Sequence, residues 1–491
     1  MSGPFALYSN AAVRELERRA KAADGFDEDA LMRRAGEAAW RQLLQAWPQA
    51  QRILVVCGPG DNGGDGWVLA KHAQDSGRDV RVLRLADHAP RTPSAQRMAA
   101  EFRDAGGVVD TFDGSLPQAD IAVDALFGIG CNRELMGDAA ALVQAINSSA
   151  IPVLALDVPS GVDAETGHVP GVAITANHAI QFIAAHAGLA TGAALEHVGE
   201  TSVSSLDVPR TCFDGLIPAA EVLQPPHLLR RRRNSHKGQQ GHVLAIGGEH
   251  GMGGAIVLAA EAALRSGAGL VSVATRAEHV SALLVRRPEA MAHAIDDAPA
   301  LAALLDRVDA FVIGPGMGQG RWASELLHAA LATNKPGVLD ADALNLLANS
   351  PRTVLSAVLT PHPGEAARLL GIDTTAVQAN RYGAANDLAD KFQCAVVLKG
   401  AGSLIATPGR ITRVCPIGNP GMATGGMGDA LAGIIGTLLA QGHDAFEAAS
   451  VGTWLHARAG DRAALVGESG LLASDLIAEL PVTRAEYTHD A

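Results

Sequence analysis

The chain has 491 residues, more than one hydrophobic core usually serves, so two domains of roughly 200 to 270 residues each are expected. Apolar residues make up 48% and charged residues 19%, with a formal net charge of -13; this excludes a disordered chain and a surface that tracks nucleic-acid phosphates, which needs a basic excess. The five cysteines (Cys57, Cys131, Cys212, Cys394, Cys415) form no CxxC pair, and no apolar run reaches the about 18 residues a membrane helix needs, so reduced thiols, a cytoplasmic location and no membrane partner are expected.

Near the start, Val13 to Arg18 mixes charge with apolar residues, unlike a secretory signal. From about residue 50, short β-branched runs alternate with longer Ala- and Leu-rich stretches, the pattern of a parallel sheet with helical crossovers. Strands are predicted at Arg52 to Cys57, Asp79 to Leu85, Ile121 to Phe127 and Val153 to Asp157. Three of them run into polar or glycine-rich loops: Gly58 to Gly66 (GPGDNGGDG), Gly128 to Glu134 (GIGCNRE) and Val158 to Gly161 (VPSG). In open α/β sheets ligands collect beyond such strand ends. Pro225, Pro226 and the basic run Arg230 to Arg233 then predict a solvated linker over 223–236, between domains at 1–222 and 237–491.

After the linker the alternation restarts, with strands predicted at His242 to Ile246, Leu270 to Thr275, Ala310 to Ile313, Gly337 to Asp340 and Ala395 to Leu398. Loops follow at Gly314 to Gly318 (GPGMG), Asp340 to Asn345 (DADALN), Thr360 to Glu365 (TPHPGE) and Lys399 to Ser403 (KGAGS). No repeat relates the halves, so two different α/β folds are expected.

Gly58 to Gly63 satisfies G-x-G-x-x-G, but Asp61 would put a carboxylate where a pyrophosphate must approach backbone amides, which argues against an ordinary dinucleotide-binding dehydrogenase. A helix is predicted to begin near Trp67. Asn62, Asp124 and Ser160 offer hard oxygen ligands at three strand ends, suited to a weakly held monovalent cation, and Asp157 could serve as a proton-transfer base. Singly, each could be a turn or cap residue; their joint placement favours a site.

In the second half, Thr424 to Asp429 (TGGMGD) precedes an apolar helix, so successive glycine amides at a helix start form an anion hole, with Asp429 in the first turn to take a proton from a hydroxyl that attacks phosphorus. The alternative is that Asp429 only caps the helix. Lys399 to Ser403 reads as a second phosphate cradle. His362, between two prolines, is presented either to substrate or to a structural hydrogen bond. His236 and Lys237 fit capping and function equally. No Cys or His cluster has zinc spacing.

With these motifs in place the chain resembles the bifunctional NAD(P)H-hydrate repair enzymes over nearly its whole length. The first-half loop Gly60 to Gly66 matches that family's GNNGGDG, with Asp61 for the usual asparagine, and the second half carries in order HKG at His236, GMGGA at Gly251, GPGMG at Gly314, TPHPGE at Thr360, KGAGS at Lys399 and GGMGD at Gly425. The resemblance implies an N-terminal Rossmann-like epimerase and a C-terminal ribokinase-like dehydratase. It places a potassium ion on Asn62, Asp124 and Ser160. It places the hydrated nicotinamide nucleotide, NADHX or NADPHX, against Asp61, Asn62, Gly63, Gly64, Asp65, Gly128, Ile129, Gly130, Cys131, Asn132, Arg133, Glu134 and Asp157 in the first domain. In the second it places the hydrate against Ala255, Gly318, His362 and Asp429, and the AMP part of the nucleotide on Lys399, Gly400, Ala401, Gly402, Ser403 and Gly428. Asp429 and Asp157 are the implied catalytic residues.

Phosphorylating the hydrate's 6-hydroxyl would turn hydroxide, a poor leaving group, into phosphate. ADP is the implied donor, with Mg2+ to offset its charge. A homo-oligomer without nucleic-acid partners is expected. Two rivals remain: a ribokinase-type small-molecule kinase fused to a nucleotide-binding domain, and a first half that only senses a nucleotide or partner.

Overall fold

The computed structural model describes residues 5–23, 27 and 29–489. The chain divides into two compact units, Ala6–Ala220 and one made chiefly of Glu221–Ala491.

In the first unit seven strands form one parallel sheet: β1 (Arg52–Cys57), β2 (Asp79–Arg84), β3 (Val108–Thr111), β4 (Ile121–Ala125), β5 (Val153–Leu156), β6 (His178–Phe182) and β7 (Glu200–Ser204). Their spatial order is β3-β2-β1-β4-β5-β6-β7, a doubly wound, Rossmann-like arrangement whose order reverses beside β1. The central strands β1, β4 and β5 are buried on both faces because helices cover both, which is why they read as near-continuous apolar runs, broken in β4 only by Asp124. One face carries helices α1 (Asn10–Lys21), α2 (Ala30–Ala46), α3 (Asp61–Asp75) and α4 (Pro93–Asp104), the other α5 (Gly137–Ser148).

Two sequence expectations change here. The strands predicted to reach Phe127 and Asp157 stop at Ala125 and Leu156. The Leu126 amide turns back to the Asp124 carboxylate (3.2 Å), and Asp157 takes a left-handed conformation (φ 65°) that ends the strand. The helix expected near Trp67 begins six residues earlier, at Asp61. Its glycines make that start possible: a Cβ on Gly63 would lie 2.0 Å from the Gly58 carbonyl oxygen, and one on Gly66 2.6 Å from the Ala125 Cβ. Close packing on the sheet thus overrides the poor helix propensity of glycine.

Nine strands of the second unit lie side by side in one sheet. They are β8 (His242–Ile246), β9 (Leu270–Thr275), β10 (Met291–Ala294), β11 (Ala310–Ile313), β12 (Gly337–Leu339), β13 (Ala357–Leu359), β14 (Ala395–Leu398), β15 (Leu404–Ala406) and β16 (Thr412–Val414). The order is β10-β9-β8-β11-β12-β13-β14-β15-β16, parallel through β14 and antiparallel at β15 and β16. The unit's helices are α6 (Gly253–Arg265), α7 (Ala277–Arg286), α8 (Ala298–Leu305), α9 (Arg321–Leu331), α10 (Asp342–Asn349), α11 (Pro363–Leu370), α12 (Thr374–Ala379), α13 (Arg381–Phe392), α14 (Met427–Ala440), α15 (Ala445–Ala463) and α16 (Ala473–Glu486), of which α6, α14, α15 and α16 build the larger apolar cluster on one face. Residues 223–236 join this unit through ordered pairings: the Leu223 amide reaches the Val414 carbonyl (2.9 Å) and Leu228–Leu229 pairs with Thr488–His489. No described helix is long and apolar enough to cross a membrane, and all five cysteines are unpaired.

Candidate active sites

The β1–α3 turn, the β4–α5 loop and the turn after β5 border a cleft of about 930 Å³ at the carboxyl ends of the first sheet. Asp61, Asn62, Asp65, Asp157 and residues 128–131, 133 and 134 line it. Gly63, Gly64 and Asn132, also expected at the substrate, do not; Gly63 and Gly64 are consumed in packing, Gly64 against the Met32 side chain.

Beneath the cleft, Asp124 is 2% exposed and takes the Ser160 hydroxyl on Oδ1 (2.7 Å) and the Ser160 amide on Oδ2 (2.8 Å). The Ser160 hydroxyl oxygen in turn accepts from the Phe127 amide (2.9 Å). The Asn62 side-chain amide donates to the Phe127 carbonyl (2.9 Å), while its own Oδ1 is buried without a partner. Burial raises the Asp124 carboxyl to about 6, against the donors from Ser160 and Leu126. An orphaned amide oxygen beside a buried carboxylate, a hydroxyl and a carbonyl is a set of hard oxygens that suits a monovalent cation.

Asp157 is carried on the left-handed residue after β5, its amide bonded to the Ile180 carbonyl (2.7 Å). Its Oδ1 lies 2.9 Å from Nε2 of His186. Around it stand further carboxylates that the sequence did not single out as a group. Burial, then the charges of Asp157, Asp61 and Glu17, pushes Asp65 well above the ordinary range, and burial followed by the Asp157 charge raises Glu17. Lys21 is the nearby countercharge.

The second site is built where β8, β11, β12, β13 and β14 end. Helix α14 starts at Met427 after Gly426, whose φ of +91° fits glycine and whose missing Cβ would meet Leu258 at 2.5 Å. Asp429 therefore stands in the first turn, as expected from the sequence. Burial, then the Asp340 charge, raises its carboxyl to about 7. The Met427 carbonyl accepts from buried His456 (2.9 Å), whose burial lowers it to about 4 and keeps it neutral.

Facing Gly428, the Lys399 ammonium is bonded to Asp340 Oδ1 (2.9 Å) and lies 3.9 Å from Glu365. Asp340 also accepts from the Thr360 hydroxyl (2.8 Å). Gly400, at φ +136°, lets the loop after Lys399 close over buried Arg381, whose guanidinium reaches the Leu398 and Lys399 carbonyls (3.4 and 3.3 Å). The Ser403 hydroxyl bonds the Gly400 carbonyl (3.0 Å). Charge interactions of Asp429 with Asp340, Lys399, Asp342 and Glu365 bring these loops into one cluster. Ala255 approaches it through Gly316, and Gly318 through its amide to Asp342 (2.8 Å).

His362 has both features weighed from the sequence. Its Nδ1 caps helix α11 (Pro363–Leu370) by accepting from the Gly364 amide (3.0 Å), while about half of the side chain stays exposed. His236 caps the short turn Lys237–Gln240. Asp340, Asp342, Glu365 and Arg381 were missed as site residues. The DADALN and TPHPGE loops signal the first three by their position after strands, whereas Arg381 lies within a helical run and carries no signal.

Comparison with known proteins agrees with both halves. Residues 243–482 match the family model described as NAD(P)H-hydrate dehydratase, and residues 28–188 match that of the YjeF-related protein N-terminus. The bifunctional NAD(P)H-hydrate repair enzyme of Coxiella burnetii is 48% identical over 97% of this chain and 99% of its own; that of Escherichia coli is 41% identical over 98% and 94%. A solved ADP/ATP-dependent NAD(P)H-hydrate dehydratase from Bacillus subtilis, co-crystallised with ATP/Mg2+, is 31% identical with a TM-score of 0.50, covering 53% of this chain and 95% of its own. A ribokinase-like superfamily protein from Enterococcus faecalis gives the same TM-score at 31% identity over 53% and 93%. Two α/β units with a distinct polar site in each, matched end to end by relatives of this kind, identify the chain as a member of the bifunctional NAD(P)H-hydrate repair enzymes.

Proposed function

We propose that the first unit interconverts the R and S forms of NAD(P)HX and that the second dehydrates the S form with ADP as phosphate donor. The observation that carries this reading is the pair of separate sites, each with a carboxylate presented where its chemistry needs a base. We assign the epimerase to 1–222 and the dehydratase to 237–491.

In the hydrate, C6 bears both a hydroxyl and the ring nitrogen N1. Asp157 takes the hydroxyl proton, the C6–N1 bond opens to an aldehyde as N1 gains a proton, and reclosure on the opposite face of the carbonyl inverts C6. The loop 128–134, with Asp61, Asn62 and Asp65, holds the nucleotide. Asn62, Asp124 and Ser160 fit a potassium ion, which when bound supplies positive charge against the acidic cleft.

In the second unit, Asp429 takes the proton of the 6-hydroxyl as its oxygen attacks the terminal phosphorus of ADP and AMP leaves. Donation from N1 then breaks the C6–O bond and releases phosphate, and loss of a C5 proton restores the ring of NAD(P)H. Lys399 and the amides of Gly400, Ala401, Gly402, Ser403 and Gly428 hold the donor's phosphates. His362, Ala255 and Gly318 line the hydrate. Mg2+ bound with the donor would offset its phosphate charge, next to the carboxylate of Asp340 that Lys399 already pairs.

Purified full-length chain given mixed hydrate epimers and ADP, or ATP in parallel, is expected to restore the absorbance of reduced nicotinamide from both epimers and to release AMP and phosphate. A stable phosphorylated product would instead establish a kinase. Failure to interconvert the epimers would reduce the first unit to a binding module.

A further inference from the structure

We propose that His186 is the positioning residue of the epimerase site: it holds one oxygen of Asp157 so that the other is offered to the substrate hydroxyl. The inference rests on the reading of Asp157 as base.

His186 lies in the short strand Ala185–His186, paired in parallel with Leu7 and Tyr8, and its amide is fixed by Gln181 Oε1 (2.7 Å). Its side chain is fully buried and does not line the cleft. Nε2 sits 2.9 Å from Asp157 Oδ1. An ionised carboxylate only accepts, so the hydrogen of this bond belongs to Nε2. The other ring nitrogen, Nδ1, is buried with no partner among the described residues, where Asp157 is the ring's one hydrogen-bond partner.

On the carboxylate side, Oδ1 also receives the Phe182 amide at 3.4 Å. Oδ2 lies 3.4 Å from where a Cβ on Gly128 would stand, and both Gly128 and Asp157 line the cleft. One oxygen is thus held from inside the unit while the other opens on the cleft.

The backbone is constrained to match. Asp157 holds a left-handed conformation (φ 65°) that is unfavourable for a non-glycine residue, and such residues persist where their surroundings over-determine them. The charge of Asp157 also reaches Glu17 on α1 and Asp65 on α3, besides its hydrogen bond to His186.

The test uses the full chain, with dehydration of pure S hydrate as the internal control. His186→Ala is expected to lower kcat for epimerisation roughly 10- to 100-fold, no more than the low end of what a proton-transfer group itself contributes, and to leave KM within about two-fold. His186→Gln can place an amide nitrogen near the position of Nε2, whereas His186→Asn matches Nδ1 and falls short of Asp157. Recovery of rate by Gln but not by Asn supports the assignment, even if the Ala variant does not fold. Equal behaviour of Gln and Asn, or an unchanged kcat in the Ala variant, would overturn it. Asp157→Asn separates the two claims: if that variant epimerises normally the base reading fails, and if it is inactive while His186→Ala is normal, only the role of His186 fails.

Discussion

Replacing Asp429 by asparagine keeps its size and its place in the first turn of α14 but removes the carboxylate, so the same substitution should damage catalysis and improve stability. In the folded chain burial and Asp340 raise this carboxyl from 3.8 to about 7. The folded state therefore keeps the proton up to about pH 7, whereas the unfolded chain releases it near pH 4. Between those values the folded state binds more protons, and wild-type stability falls as pH rises; above about 7 the whole penalty is present. A shift of roughly three units at about 1.4 kcal/mol each is roughly 4 kcal/mol, which the side chain's partial exposure reduces to about 2 kcal/mol.

Asp429→Asn should accordingly melt higher than wild type at about pH 8 and equally at about pH 4. Dehydration of the S hydrate should fall roughly 10²- to 10⁴-fold, and the wild-type acidic limb near pH 7 should vanish, while epimerisation persists. Thermal melts and steady-state rates from about pH 5 to about pH 9 measure both. Dehydration within about three-fold of wild type would refute the base assignment and leave Asp429 a helix cap. An unchanged melting difference across pH would refute the electrostatic argument separately.

Asp124→Ala should abolish any potassium dependence of epimerisation and spare dehydration of the S hydrate; equal loss of both, with the fold intact, would count against a cation site confined to the first unit. Lys399→Ala leaves Asp340 buried without its ammonium partner and should cost roughly 3 to 5 kcal/mol in denaturant melts in addition to weakening ADP binding, with Lys399→Arg recovering only part of either. Gly63→Ala drives a Cβ to 2.0 Å from a backbone oxygen and should destabilise by about 2 kcal/mol or more, whereas Gly64→Ala meets the flexible end of Met32 and should cost less; equal melts would show that α3 can shift off the sheet.

Much of the framework was legible because buried parallel strands carry their own signal. Arg52–Cys57, His242–Ile246, Leu270–Thr275, Ala310–Ile313 and Ala395–Leu398 have the bounds read from their β-branched runs. Val108–Thr111, Met291–Ala294 and Glu200–Ser204 escaped notice, since they are short, flank the sheets and are only partly buried; partner backbones, not hydrophobic pattern, make them strands.

The sites divide along the same line. Glycine runs, Asp429 after GGMG and the polar loops after strands are local features, visible because phosphate chemistry demands backbone amides and small residues in sequence. The start of α3 inside a glycine run reversed the local propensity, because only contact with β1 and β4 rewards a helix without side chains. The partnership of Lys399 with Asp340, 59 residues apart, and of His186 with Asp157, 29 apart, exists only once the sheets bring their strand ends together. Local chemistry by itself determined which residue types could act, while the register of distant strands decided which of them share a site and which oxygen of a carboxylate is left to do so.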